Sequence, residues 1–277
     1  MIKIAIMVHN LKMDVYDGMR FAAEKGCQGV HLACVQGINP RDMDAAGRKE
    51  LVRFVKGLGL EISAICAWGG QVDLGNPENL DKHIEEGKRL LEFAADLECG
   101  IWQGHCGIMP HDKTDPKWAR FVDSFGQLAK HGEKVGARLA IETGPEPPEV
   151  MLDMINEVGS SSLAVNYDPA NLILWPARYQ LQDGGTYDRE KAFAEYKPVE
   201  GVKVLGKHII HTHAKDAMVI DNKTRMEVPL GTGWIDWPKY VENLKSVGYD
   251  GYFAIEREVG ADPVGDITRA IEFLQTL

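Results

Sequence analysis

Short apolar runs alternate with stretches of helical spacing along the chain. Residues 2–8 read as a strand, and apolar positions three and four apart make 15–25 a helix. The alternation continues with a strand at 29–35, a helix at 42–58 and a strand at 60–67. A long helix is expected to open at Asn76-Pro77-Glu78, where Asn can accept from free backbone amides and Pro suits the first helical position. Its apolar face carries Leu80, Ile84, Leu91 and Ala94. A strand at 99–105 precedes a helix at 116–135, with Phe121, Phe125, Leu128 and Val135 about one face. Strand 138–142, helix 148–158 and strand 163–168 follow. The order loosens over 175–206, read as an elaborated loop with one helical piece at 189–196. After a strand at 208–213, residues 217–229 alternate polar and apolar around Asp221-Asn222, which predicts a hairpin. Helix 237–247, strand 252–256 and helix 263–277 complete the pattern. Eight strand–helix units without a linker predict an α/β fold, a single (β/α)8 TIM barrel spanning 1–277 as one domain. A doubly wound sheet is the rival, but it would need fewer strands or a domain break, and no glycine-rich nucleotide loop supports it.

Composition narrows function more than fold. With 44% hydrophobic and 26% charged residues in 277, the chain reads as a soluble globular protein with one large core. Its apolar runs fall short of the roughly 20 residues of a membrane span, and the opening Met1–Met7 run is too short for a signal peptide. A net charge of −10 argues against a nucleic-acid partner, which needs surplus Lys and Arg at the contact face. The cysteines at 27, 34, 66, 99 and 106 contain no CxxC pair, which points to reduced thiols in a cytoplasmic protein.

Candidate chemistry sits where four late strands stop. Ala140-Ile141-Glu142, Val165-Asn166-Tyr167-Asp168, Ile210-His211-Thr212-His213 and Ala254-Ile255-Glu256 each end on a metal-binding type of side chain. Strand side chains alternate faces, so Glu142 shares a face with Ala140, Asp168 with Ala164 and Asn166, and Glu256 with Ala254. Small residues under each terminal acid leave space inside a barrel. Parity puts both His211 and His213 inward; His213 lies nearer the strand end and is the expected ligand. A lone strand-end glutamate is ordinarily solvated or capping, but four such residues in inward register predict a divalent metal site of Glu142, Asp168, His213 and Glu256. Carboxylate-rich donors favour Mn²⁺, Mg²⁺ or Co²⁺, with Zn²⁺ an alternative.

The stretches Glu142-Thr-Gly-Pro-Glu146, Asp168-Pro-Ala-Asn171, His211-Thr-His-Ala-Lys-Asp216, Gly231-Thr-Gly-Trp-Ile-Asp236 and Tyr249-Asp-Gly-Tyr-Phe-Ala-Ile-Glu256 resemble the xylose isomerase-like TIM barrel superfamily. Within it the chain is most similar to the sugar phosphate isomerase/epimerase group, including the ketose 3-epimerases. The resemblance covers essentially the whole chain and is specific in its second half. It implies that the matching Glu, Asp, His and Glu bind one divalent ion, that His213 is the histidine chosen, and that Glu142 and Glu256 move the substrate proton. A carbohydrate substrate and a homo-oligomer are implied on the same basis. Asn171 departs from the epimerase pattern, where histidine often stands, and weakens a trinuclear nuclease reading.

The expected reaction is proton removal beside a carbonyl, through an enediolate stabilised by the metal, with one carboxylate as base and the second as acid. The same constellation could expel a β-hydroxyl, making a lyase on an inosose- or dehydroshikimate-like compound. A nuclease for abasic sites and a non-catalytic sugar-binding protein are further readings. The expected substrate shell is His9, Trp68, His105, Glu146, Asn171, His211, Lys215 and Arg257. Arg257 has outward parity, with Glu258 as its alternative partner. Residues 175–196 would form a lid or a subunit contact, and the absence of a glycine-rich phosphate cradle suggests an unphosphorylated polyol or keto-sugar.

Overall fold

Eight parallel strands close on themselves in the computed structural model, which describes residues 2–35, 37–67 and 72–277. They are β1 (Lys3–Met7), β2 (Gly29–Ala33), β3 (Glu61–Cys66), β4 (Ile101–Gly104), β5 (Arg138–Glu142), β6 (Leu163–Tyr167), β7 (Ile209–Ala214) and β10 (Tyr252–Ile255). Closure is made by β10 lying parallel to β1, with Ile4 beside Phe253 and Ile6 beside Ile255. Around the barrel run α1 (Val15–Glu24), α2 (Ala45–Gly57), α3 (Leu80–Asp96), α4 (Pro116–Val135), α5 (Pro148–Val158), α6 (Asn171–Gln180), α7 (Arg189–Tyr196), α8 (Gly201–Leu205), α9 (Trp237–Ser246) and α10 (Pro263–Gln275). The expected hairpin is an antiparallel pair, β8 (Asp216–Ile220) and β9 (Thr224–Val228), turned by Asp221 and Asn222 at φ 51° and 54°. No helix among the described residues is long and apolar enough to cross a membrane.

Acidic caps set many helix starts. Asp14, Asp44, Asp115, Asp188, Asp236 and Asp262 each accept from backbone N–H groups of the first turn, a contact worth about 1 kcal/mol apiece. Two starts differ from the sequence expectation. Asn76 does accept from the Glu78 amide, but Asn79 takes φ 62°, which a helix cannot continue through, so α3 begins at Leu80. Asn39 accepts from the amides of Arg41 and Asp42 in a tight turn, so α2 waits for the Asp44 cap. The segment after β6 is also more regular than a loop: it holds α6, α7 and α8, and only α7 was legible beforehand. In α6 the Asp168 carboxylate accepts from the Asn171 amide and starts the helix.

The apolar core lies between strands and helices, with Trp102, Phe93, Phe121 and Phe125 among its largest members. Inside the barrel the fill is partly polar. Ser63 on β3 bonds His211 on β7 across the ring at 3.2 Å, and Gln103 on β4 bonds Asn166 on β6 at 3.3 Å. These strands are not neighbours, so both contacts run through the interior. His211 Nδ1 and Asn166 Oδ1 are 2.8 Å apart. The His31 ring packs 4.8 Å from His211 and 5.3 Å from His213.

Candidate metal centre

The four strand ends converge. His213 Nδ1 lies 3.1 Å from Glu142 Oε1, 3.2 Å from Glu256 Oε2 and 3.4 Å from Asp168 Oδ2. One donor atom from each of the four falls within 4.8 Å of the other three, and all four residues are buried. Register explains the convergence: Glu142 ends β5 opposite Asn166, Asp168 follows one residue past β6, and His213 pairs with Ala254 two residues before Glu256. Three carboxylates so close repel each other, and each resists leaving water. A divalent cation among them relieves both costs. Three oxygens and one imidazole nitrogen are donors that Mg²⁺, Mn²⁺, Co²⁺ or Zn²⁺ accept, so the residues fit such an ion.

Local electrostatics follow from burial set against partners. Burial opposes charge on His213, but Glu256 and Glu142 outweigh it and hold the imidazole well above its usual range. Burial likewise opposes charge on Glu256, yet His213 and Lys215 hold its carboxyl well below the usual value. For Glu142, burial is overcome by His105 and His213, and the carboxyl is lowered. For Asp168, burial prevails over Lys215 and His213, and the carboxyl is raised. Lys215 is itself buried, 2.8 Å from Glu256 and 2.5 Å from Glu258.

Above these groups lies a cavity of about 240 Å³, lined in part by Glu142, Asn171, Lys215 and Glu256. His105 joins this wall, with Nε2 3.6 Å from Glu142 Oε2. Asn171 donates to Glu142 Oε1 at 3.1 Å, so it orients an acid of the cluster.

Other expected contacts lie elsewhere. His211 is one layer down, held by Asn166 and Ser63 and outside the cavity wall. Glu146 is buried away from the wall and accepts from the Met109 amide at 2.6 Å; burial pushes its carboxyl up to about 8. His9 follows β1 beside Asn10, and burial pushes its imidazole down to about 4 against the pull of Glu256. Arg257 turns outward, and its partners are Glu227 at 2.8 Å and Asp266 at 2.9 Å, with Glu258 only a chain neighbour. The hairpin carries Glu227 to it, a placement no local pattern announces. Trp68 lies outside the described residues.

Several wall residues were not anticipated: Cys66, Leu174, Arg178 and Arg225. Leu174, Trp175 and Arg178 follow Asn171 at helical spacing, a signal that recognising α6 would have exposed. Arg225 arrives on β9, and nothing in its neighbourhood along the chain marks it.

Barrel and cluster together define a class of α/β protein whose barrel mouth carries a buried donor set that could hold a cation. The chain belongs to the xylose isomerase-like TIM barrel family, whose model matches residues 19–277. A xylose isomerase domain protein from Planctomyces limnophilus superposes with a TM-score of 0.77 at 24% identity, covering 92% of this chain and 90% of that one. A probable 3-DHS dehydratase of petrobactin synthesis from Bacillus anthracis superposes at 0.76 with 16% identity, over 99% of each chain. A D-tagatose 3-epimerase-like protein superposes at 0.73 with 20% identity, over 99% of this chain and 98% of that one. At these identities the likeness is one of fold.

Proposed function

We propose that this protein is a divalent-metal-dependent isomerase or epimerase acting on a sugar or polyol-derived ketone by proton abstraction. One observation carries the reading: Glu142 and Glu256 approach the same His213 nitrogen at 3.1 and 3.2 Å on the floor of a cavity of about 240 Å³. Family membership and an epimerase-like neighbour support it. A bound divalent ion supplies Lewis-acid polarisation of a carbonyl and makes the adjacent C–H more acidic. Glu142, Asp168, His213 and Glu256 would hold it, with Mn²⁺ our first choice. Glu142 and Glu256 then act as base and acid, one taking the proton and the other returning it. Asn171 fixes the Glu142 carboxylate, and Lys215 fixes Glu256. His105, 3.6 Å from Glu142 in the cavity wall, would meet a substrate hydroxyl.

The second reading is a lyase on an inosose- or dehydroshikimate-like compound, favoured by the likeness to a probable 3-DHS dehydratase. One experiment separates the two. The Mn²⁺-loaded protein is incubated with ketoses, inososes and dehydroshikimate in deuterated water, and products are read by mass and NMR. Altered stereochemistry with one solvent deuteron gained means epimerase; loss of water means lyase. Glu256→Gln should stop both exchange and turnover. Epimerisation retained in that variant rules out two-carboxylate chemistry.

A further inference from the structure

Two guanidinium groups line the cavity above the carboxylates, and the chemistry described so far gives them no task. Arg178 comes from α6 and Arg225 from β9, so separate elements deliver them to one wall. Both side chains belong to exposed residues, and among the described residues no carboxylate pairs with either. The acid nearest Arg225 on its own strand, Glu227, is committed to Arg257 at 2.8 Å. Arg178 lies over the Trp175 ring at 5.0 Å, and that ring meets His105 edge-on at 6.0 Å. His105 in turn reaches Glu142. Arg178 is therefore ordered by stacking, on a continuous path of side chains that ends at the metal cluster.

Charge defines what such a wall wants. With a divalent ion bound, the ion and Lys215 together offset three of the four carboxylates Glu142, Asp168, Glu256 and Glu258. Adding Arg178 and Arg225 leaves the lined cavity with one surplus positive charge. A neutral sugar would leave that surplus in place, whereas an anionic group would cancel it. Guanidinium donors match the planar or tetrahedral oxygens of carboxylate and phosphate. Size sets the rest: about 240 Å³ is roughly eight waters' share of liquid volume, which suits one monosaccharide.

We infer that Arg178 and Arg225 form an anion subsite, and that the substrate is a monosaccharide-sized polyhydroxy ketone bearing a carboxylate or a phosphate. This rests on the ketone-acting metal centre proposed above; a carboxylate agrees with the expectation of an unphosphorylated polyol or keto-sugar, whereas a phosphate replaces it. The subsite grips the end of the substrate distant from the reacting carbon. Its binding energy therefore orients the ketone over Glu142 and Glu256.

The test uses the Mn²⁺-loaded full chain and three probes of one skeleton: D-fructose, its carboxylate analogue D-fructuronate, and D-fructose 6-phosphate. Calorimetry gives each affinity at low and at high salt, after a separate titration has fixed Mn²⁺ affinity. At least one charged probe should bind tenfold or more tightly than fructose, with the advantage shrinking in high salt. Which one wins tells carboxylate from phosphate. Arg178→Gln and Arg225→Gln should each reduce that advantage several-fold, while fructose and Mn²⁺ affinities stay as in the wild type. Fructose binding as tightly as both charged probes overturns the anion subsite and leaves the ketone reading standing. So does an anion preference that survives both substitutions. Mn²⁺ binding with no affinity for any of the three overturns the ketone reading and the subsite with it.

Discussion

Lys215 donates to Glu256 Oε2 at 2.8 Å, so one of the carboxylates that would hold a cation is already held by a buried ammonium. Its Nζ also lies 3.9 Å from Asp168. A bound metal and the lysine would therefore share the same negative charge. Removing one partner of a buried pair typically costs 3–5 kcal/mol, about what we expect of Lys215→Met in metal-free protein. Denaturant midpoints with and without Mn²⁺ check this, and Mn²⁺ should restore more stability to the variant than it adds to the wild type. Equal gains would mean that the two cations do not share a charge.

Burial pushes Glu146 up to about 8, from a value near 4.5 in the unfolded chain. Between those values the folded state binds more protons than the unfolded state, so stability falls as pH rises through that window. Glu146→Gln keeps an oxygen for the Met109 amide and removes the titration. Relative to wild type, the variant should be nearly neutral near pH 5 and stabilised by roughly 3–4 kcal/mol near pH 8. Urea melts across this range provide the measurement; a difference that does not change with pH would contradict it.

Arg257 joins Glu227 on the hairpin to Asp266 at the start of α10. Its work is structural, so Arg257→Met should lower stability by roughly 3 kcal/mol while leaving KM for a substrate near the wild-type value. A large KM increase in a fully folded variant would return Arg257 to the substrate shell.

Gly144 sits at φ 151°, and a Cβ there would stand 2.5 Å from Trp175 Cδ1 and 3.0 Å from Asn171 Cβ. Neither neighbour is free to retreat, because Trp175 stacks with Arg178 and Asn171 holds Glu142. Gly144→Ala should cost about 1–3 kcal/mol of stability through overpacking. It should also weaken ketone binding more than Mn²⁺ binding, read by calorimetry on the same sample. Unchanged ketone affinity would detach Trp175 from the cavity wall.

Much of this was readable along the chain. Strand periodicity set the faces of Glu142, Asp168 and Glu256, because alternation is a local property of an extended backbone. Helix starts were readable where an acidic cap stood alone, as at Asp115. They are obscured where an Asn forms its own turn ahead of the helix, as at Asn39 and Asn76. His211 and His213 had equal parity, and only position separates them: one bonds across the barrel to Ser63, while the other faces the three acids.

By itself the sequence determined the repeating strand–helix rhythm and the four side chains that end the late strands, since both depend on residues a few positions apart. Tertiary structure alone decided which charges meet. Arg257 is neutralised by acids from a hairpin and a helix start, whereas Arg178 and Arg225 reach one cavity from distant segments with no carboxylate partner among the described residues. The physical reason is range: backbone geometry is set by near neighbours, but a charge is satisfied by whatever the closed barrel brings within a few ångströms of it.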